Sequence, residues 1–135
     1  MTDPYTVEYR WSTFIAALDP VQGCKQAGTR PVLVVSGEDF NQRWEQVAIL
    51  AITTRKVGRR VFPGEVLLSA GTAGLERESL VLAHQIRTIS KNRLRQHLGK
   101  LPPELQDQVQ KALRLFLNLQ HPHAPPGDPQ RLWIN

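Results

Sequence analysis

Gln26-Ala27-Gly28-Thr29-Arg30-Pro31-Val32-Leu33-Val34-Val35 is the stretch on which the fold turns. Its second half is a continuous apolar run, rich in β-branched side chains and stopped by Ser36-Gly37, and this predicts a buried strand. Its first half is a glycine-containing loop that ends in Arg-Pro. Pro31 has no N–H to give a ladder and locks its own φ, so it stiffens the start of the strand. Arg30 is held extended by the ring that follows it. A permanently charged, planar fork fixed at the mouth of a strand suits recognition of a phosphate.

Working outward, Thr13 to Leu18 reads as a first strand closed by the Asp19-Pro20 turn signal. The loop from 19 to 29 has eleven residues and two glycines, long for a hairpin, and loops of that length tend to carry function. Phe40 to Trp44 is a short turn or helix, and Val47 to Thr53 is a long apolar strand that belongs in the middle of a sheet. Thr54 to Arg60 is a basic connection around Gly58, and Phe62-Pro63-Gly64 a turn. Glu65 to Ser69 gives a fourth strand. Ala70 to Gly74 reads as a flexible turn without the Lys-Ser/Thr ending of a phosphate-cradling loop. Leu80 to Ile89 gives a fifth strand, kinked near Gln85.

Ser90 is placed to cap a short helix running to about Leu98, with Gly99 as its terminator. Pro102-Pro103 opens a longer helix whose Leu105, Val109, Ala112, Leu113, Phe116 and Leu117 form one apolar stripe. The fold class expected is mainly β with C-terminal α. It is a small, bent, antiparallel, five-stranded barrel-like sheet followed by one short and one long helix. Residues 1–10 read as a leader, 11–119 as the domain, and 120–135, with Pro122, Pro125, Pro126 and Pro129, as a mobile tail.

At 135 residues the chain suits one domain. No run approaches a membrane span and no signal segment is visible, so a cytoplasmic protein is expected. The lone Cys24 excludes an internal disulfide and fits a reducing compartment. The net charge of +5 is unevenly spread: residues 1–54 carry −2 and residues 55–100 carry +7. Such a basic segment favours a polyanionic partner, nucleic acid or an acidic peptide, against the plainer reading of a solvated charged face.

The four histidines have no zinc-ligand spacing, and no acidic cluster suits two-metal phosphoryl transfer. No metal or cofactor is expected on these patterns. Gln26 to Pro31, Ala51-Ile52-Thr53-Thr54 and Gln85-Ile86-Arg87-Thr88-Ile89, in that order and spacing, resemble the MazF/PemK family of toxin endoribonucleases over roughly residues 11 to 119.

The resemblance implies a CcdB/PemK-like barrel and a toxin of a type II toxin-antitoxin system. It implies sequence-selective, metal-independent cleavage of single-stranded RNA to 2′,3′-cyclic phosphate and 5′-hydroxyl ends. The loop arginine and the threonine after the third strand act as the catalytic pair in that family, and they fall on Arg30 and Thr53. Each could equally be structural, Arg30 in a salt bridge and Thr53 as a plain strand residue. Gln85 is a further candidate, and so is His84, as an acid or base or as a core imidazole. Lys25, Arg55, Lys56, Arg59, Arg60 and Arg87 are the candidate RNA contacts.

Expected partners are RNA, an acidic and partly disordered antitoxin, and a second copy of the chain in a homodimer. The chain departs from the family pattern at Trp11, where a glycine is common, and at Lys25, Leu82 and His84. The alternative from another class is a binding-only toxin, catalytically degenerate or CcdB-like, that grips RNA, antitoxin or a protein target.

Overall fold

The computed structural model of the chain describes residues 7–18 and 28–119. Cys24 and Lys25 in the loop, residues 1–6 of the leader and the proline-rich segment 120–135 lie outside them. In chain order the elements are β1 (Ser12–Leu18), β2 (Gly28–Val34), α1 (Glu38–Arg43), β3 (Gln46–Thr54), β4 (Glu65–Leu68), β5 (Ser79–Ser90), β6 (Leu94–Lys100) and α2 (Pro103–Phe116). The strands make one sheet in the order β4-β5-β3-β2-β1-β6, antiparallel at every step. The mainly β class and the C-terminal helix are as expected.

β2 starts earlier than its apolar run. Gly28, at φ +117, opens the strand opposite Leu18, and Arg30 pairs with Ala16 of β1. On its other side the ladder to β3 starts only at Val32, as a proline with no N–H at position 31 requires. The kink in β5 is real: Ile49 pairs with Arg87 but Ala51 with Leu82, so β5 bulges over residues 83–86.

Two expectations fail. The sheet has six strands, not five, and residues 90–98 form no helix beyond a single 3₁₀ turn at Lys91–Arg93. The chain then runs as β6 along the open edge of β1, whose unpaired backbone groups outweigh the helical spacing of Leu94 and Leu98.

Gly99 does not terminate a helix. A Cβ there would lie 2.6 Å from the carbonyl carbon of Ala73, and one on Gly74 would lie 2.2 Å from the carbonyl oxygen of Leu98. This backbone-on-backbone contact joins the connection after β4, one edge strand, to β6, the other edge. The sheet is therefore curled nearly onto itself, which is the barrel-like bend. Residues 70–74 are not a free turn but a packed 3₁₀ turn, with Thr13 Oγ1 donating to the Ala73 carbonyl at 2.6 Å.

Alternation in β2 and β3 feeds two cores. Leu33, Val35, Leu50 and Ile52 pack with Val66, Leu68, Val81, Leu101 and with Val109 and Ala112 of α2. Val32, Val34, Val47 and Ile49 pack on the other side with Phe14, Ala16 and Ile89. The stripe of α2 is buried only in part, since Phe116 and Leu117 remain exposed.

Trp11 fills the first core at φ +66, a conformation that favours glycine. The Glu38 carboxylate, at the start of α1, accepts the N–H groups of Tyr9 and Arg10 and the side chains of Asn41 and Gln42. Burial opposes its charge, but these hydrogen bonds outweigh burial and hold the carboxyl below the usual glutamate range. Among the described residues no helix is long and apolar enough to cross a membrane.

Candidate active site

The β2–β3 ladder ends at the pair Val32–Ala51, and Arg30 and Thr53 each stand two residues beyond it. Side chains alternate along a strand, so both project on the side of Val32 and Ala51, at one level of two neighbouring strands. The register thus places the two sequence-predicted residues on one face of neighbouring strands. Arg30 Nε is buried and without a hydrogen bond, and Arg30 has no ion pair among the described residues. The structure therefore gives no support to reading Arg30 as a salt-bridge residue. Thr53 is half-buried, opposite Leu80 of β5.

Cross-strand pairs extend this face. Ala51 lies beside Leu82, and Leu82 beside Glu65 of β4. Arg87, half-buried, pairs with Ile49, so it shares the face but stands four residues from the level of Thr53, about 13 Å along the strand. Gln85 and His84 sit on the β5 bulge and are exposed. The exposure of His84 argues against its reading as a core imidazole, and its ring meets the exposed Phe116 edge-on at 6.4 Å.

The basic connection does something that sequence did not disclose. β3 and β4 both run antiparallel to β5, hence parallel to each other, and residues 55–64 must cross over β5 to link them. Of the six candidate RNA contacts, four lie in this crossover, and two of those four are held by carboxylates. Arg55 Nη1 meets the Glu78 carboxylate at 3.0 Å, and its Nε donates to the Arg59 carbonyl at 2.9 Å. Arg59 grips Glu65 with two bonds of 2.8 Å. Hydrogen bonding from Arg59 is the largest reason that the Glu65 carboxyl lies below the usual glutamate range.

Glu65 also accepts the Phe62 N–H at 2.9 Å, and its side chain is only 5% exposed. Since Glu65 is in the row of Leu82 and Ala51, the crossover folds over the same face as Arg30 and Thr53. Lys56 and Arg60 are exposed and have no carboxylate partner among the described residues.

Glu65 and Glu78 were missed as the residues that shape the loop. The turn Phe62-Pro63-Gly64-Glu65 was the available signal for Glu65; nothing local marks Glu78. Lys25 lies outside the described residues. Among the described residues no three His, Cys, Asp or Glu side chains converge as a metal site.

A sequence model described as "PemK-like, MazF-like toxin of type II toxin-antitoxin system" matches residues 9–117. The chain is 39% identical over 110 residues to endoribonuclease EndoA of Bacillus subtilis, an overlap covering 82% of this chain and 94% of that protein. It is 34% identical to endoribonuclease MazF of Staphylococcus saprophyticus, over 82% of this chain and 91% of the other. In structure it is similar to a mycobacterial endoribonuclease solved with its cognate antitoxin (TM-score 0.70, 26% identity, 86% of this chain and 100% of that one). It is also similar to MazF of Deinococcus radiodurans (TM-score 0.68, 26% identity, 84% and 98% covered).

Proposed function

From the premise that this chain belongs to the PemK-like, MazF-like family of type II toxins, we propose that it is a sequence-selective endoribonuclease working through Arg30 and Thr53. One observation carries the reading: Arg30 and Thr53 stand level on adjacent strands, and the arginine is partnered by no carboxylate of the described residues. A guanidinium that no described carboxylate engages is available to an anionic ligand.

RNA supplies its own nucleophile. The ribose 2′-oxygen attacks the adjacent phosphorus, the O2′–P bond forms, and the P–O5′ bond breaks. The 2′-hydroxyl gives up its proton and the departing 5′-oxygen gains one, leaving a 2′,3′-cyclic phosphate and a 5′-hydroxyl. What the protein must provide is alignment, and donors for the charge that grows on the non-bridging oxygens. Arg30 answers that second need with a fork and Thr53 with a hydroxyl. No step in this scheme calls for a metal ion.

The same basic face suits an acidic antitoxin, since antitoxin and RNA both seek positive charge beside an open sheet. The homodimer and the cytoplasmic setting that the family resemblance implies belong to this proposal too.

The test is incubation of a long defined RNA in EDTA, with cut ends mapped. Loss of one aligned oxyanion donor costs about 100- to 1000-fold in rate. Arg30→Ala is expected to fall by that factor while its thermal unfolding stays that of the parent. Parental cutting by the variant, or cutting only on addition of magnesium, refutes the mechanism.

A further inference from the structure

We infer that the Phe62 ring is a stacking platform for an unpaired base of the bound RNA. The inference rests on the endoribonuclease reading above and adds a base-binding position to it. Phe62 is 50% exposed, although it sits in a hydrogen-bonded turn. The Glu65 N–H donates back to the Phe62 carbonyl at 3.0 Å. Pro63 and Gly64, the latter at φ +86, occupy the positions that a type II turn demands. The Phe62 N–H is itself bound to the Glu65 carboxylate. The turn thus holds a half-exposed apolar ring at a set place on the surface, and pre-organisation of that kind serves a ligand.

The charges around the ring indicate which ligand. The guanidinium carbons of Arg59 and Arg60 lie 5.7 and 5.5 Å from its centroid. Arg59 is neutralised by Glu65 and only braces the turn. Arg60 has no carboxylate partner among the described residues, so it can turn from the ring to a phosphate and open the ring face. A flat apolar surface flanked by a free cation matches the repeating chemistry of a single strand, base and phosphate in alternation. A folded acidic protein would match the charge but, unlike a single strand, does not repeat a planar group beside each charge. The turn also stands on the Glu65 row, the face that carries Arg30 and Thr53.

The experiment uses the full chain and a short mixed-sequence 2′-O-methyl RNA, which has no free 2′-hydroxyl and is bound without being cut. A second probe has the same backbone with abasic positions throughout. Phe62→Ala is expected to bind the base-bearing strand about 5- to 150-fold more weakly. Its affinity for the abasic strand and its salt slope should equal those of the parent, because no charge has changed. Phe62→Trp should restore binding, with its fluorescence quenched by the strand.

Unchanged affinity of Phe62→Ala for the base-bearing strand overturns the inference and leaves the ring to a protein partner. An equal loss on both strands overturns it as well, since the defect is then not in stacking. If the parent still cuts RNA in EDTA and Arg30→Ala does not, the endoribonuclease reading survives either failure. If the parent neither binds nor cuts, both fall.

Discussion

Gly99→Ala is the sharpest test of how the barrel closes. The new Cβ would stand 2.6 Å from the Ala73 carbonyl carbon, 2.8 Å from its oxygen and 3.0 Å from the Gly74 nitrogen. All three are backbone atoms of a packed turn, so no side chain can swing aside. Forcing a methyl group into a filled site costs about 1–3 kcal/mol, and a collision with backbone belongs at the upper end, about 2–3. Alanine also makes the unfolded chain less flexible than glycine does, which offsets about 0.4–1 kcal/mol. Gly99 is not among the glycines with positive φ, so no dihedral strain is added. The net loss is about 1–2.5 kcal/mol. At about 2.1 cal/mol/K of unfolding entropy per residue, a chain of 135 residues loses about 3.5 °C per kcal/mol. Thermal unfolding followed by circular dichroism should therefore show a midpoint lower by about 4–9 °C. An unchanged or raised midpoint would refute the closure contact, because an unconstrained strand glycine gains from the change.

The other expectations concern the crossover. Replacing Lys56 and Arg60 together by alanine should lower the salt slope of single-stranded RNA binding by about 1.4, roughly 0.7 per phosphate contact, as read in a fluorescence titration. Replacing Arg55 and Arg59 should leave that slope nearly intact and lower the unfolding midpoint instead. The Glu65 carboxyl is held below its unfolded value, so the stability it contributes is complete above the ordinary glutamate pKa, about 4.3, and is lost as pH falls through the depressed folded value. Glu65→Gln should lose about 1–3 kcal/mol at neutral pH and show a shallower fall in midpoint on the acid side, measured by thermal unfolding from pH 7 to 3.

Where sequence reading succeeded, the signal was local. The Val32–Val35 run, the proline at 31 and the kink at Gln85 are each decided by a few adjacent residues. Arg30 and Thr53, named because two short segments keep the family's order and spacing, fall at one level of adjacent strands, and their role remains the proposal made above. What failed depended on distant partners. Residues 94–100 have the Leu94–Leu98 spacing of a helix, and only the open edge of β1 makes them a strand. Likewise a count of basic residues from 55 to 60 could not reveal that Glu65 and Glu78 occupy half of them. Phe62 reads as an ordinary turn neighbour until its exposure is known.

The pairing of β1 with β6 sets an order on folding. Thr13 meets Gly99 across 86 residues, and Ser12 meets Lys100. During synthesis β1 emerges early, takes β2 on one side, and waits with its other edge bare until β6 has left the ribosome. Loop closure over that distance is slow relative to helix formation, and an unfilled edge invites pairing with other chains in the interval. Chains cut short before β6 should consequently be sticky, incomplete sheets rather than small working enzymes. The last strand made is the one that completes the curled sheet, so function arrives late and all at once.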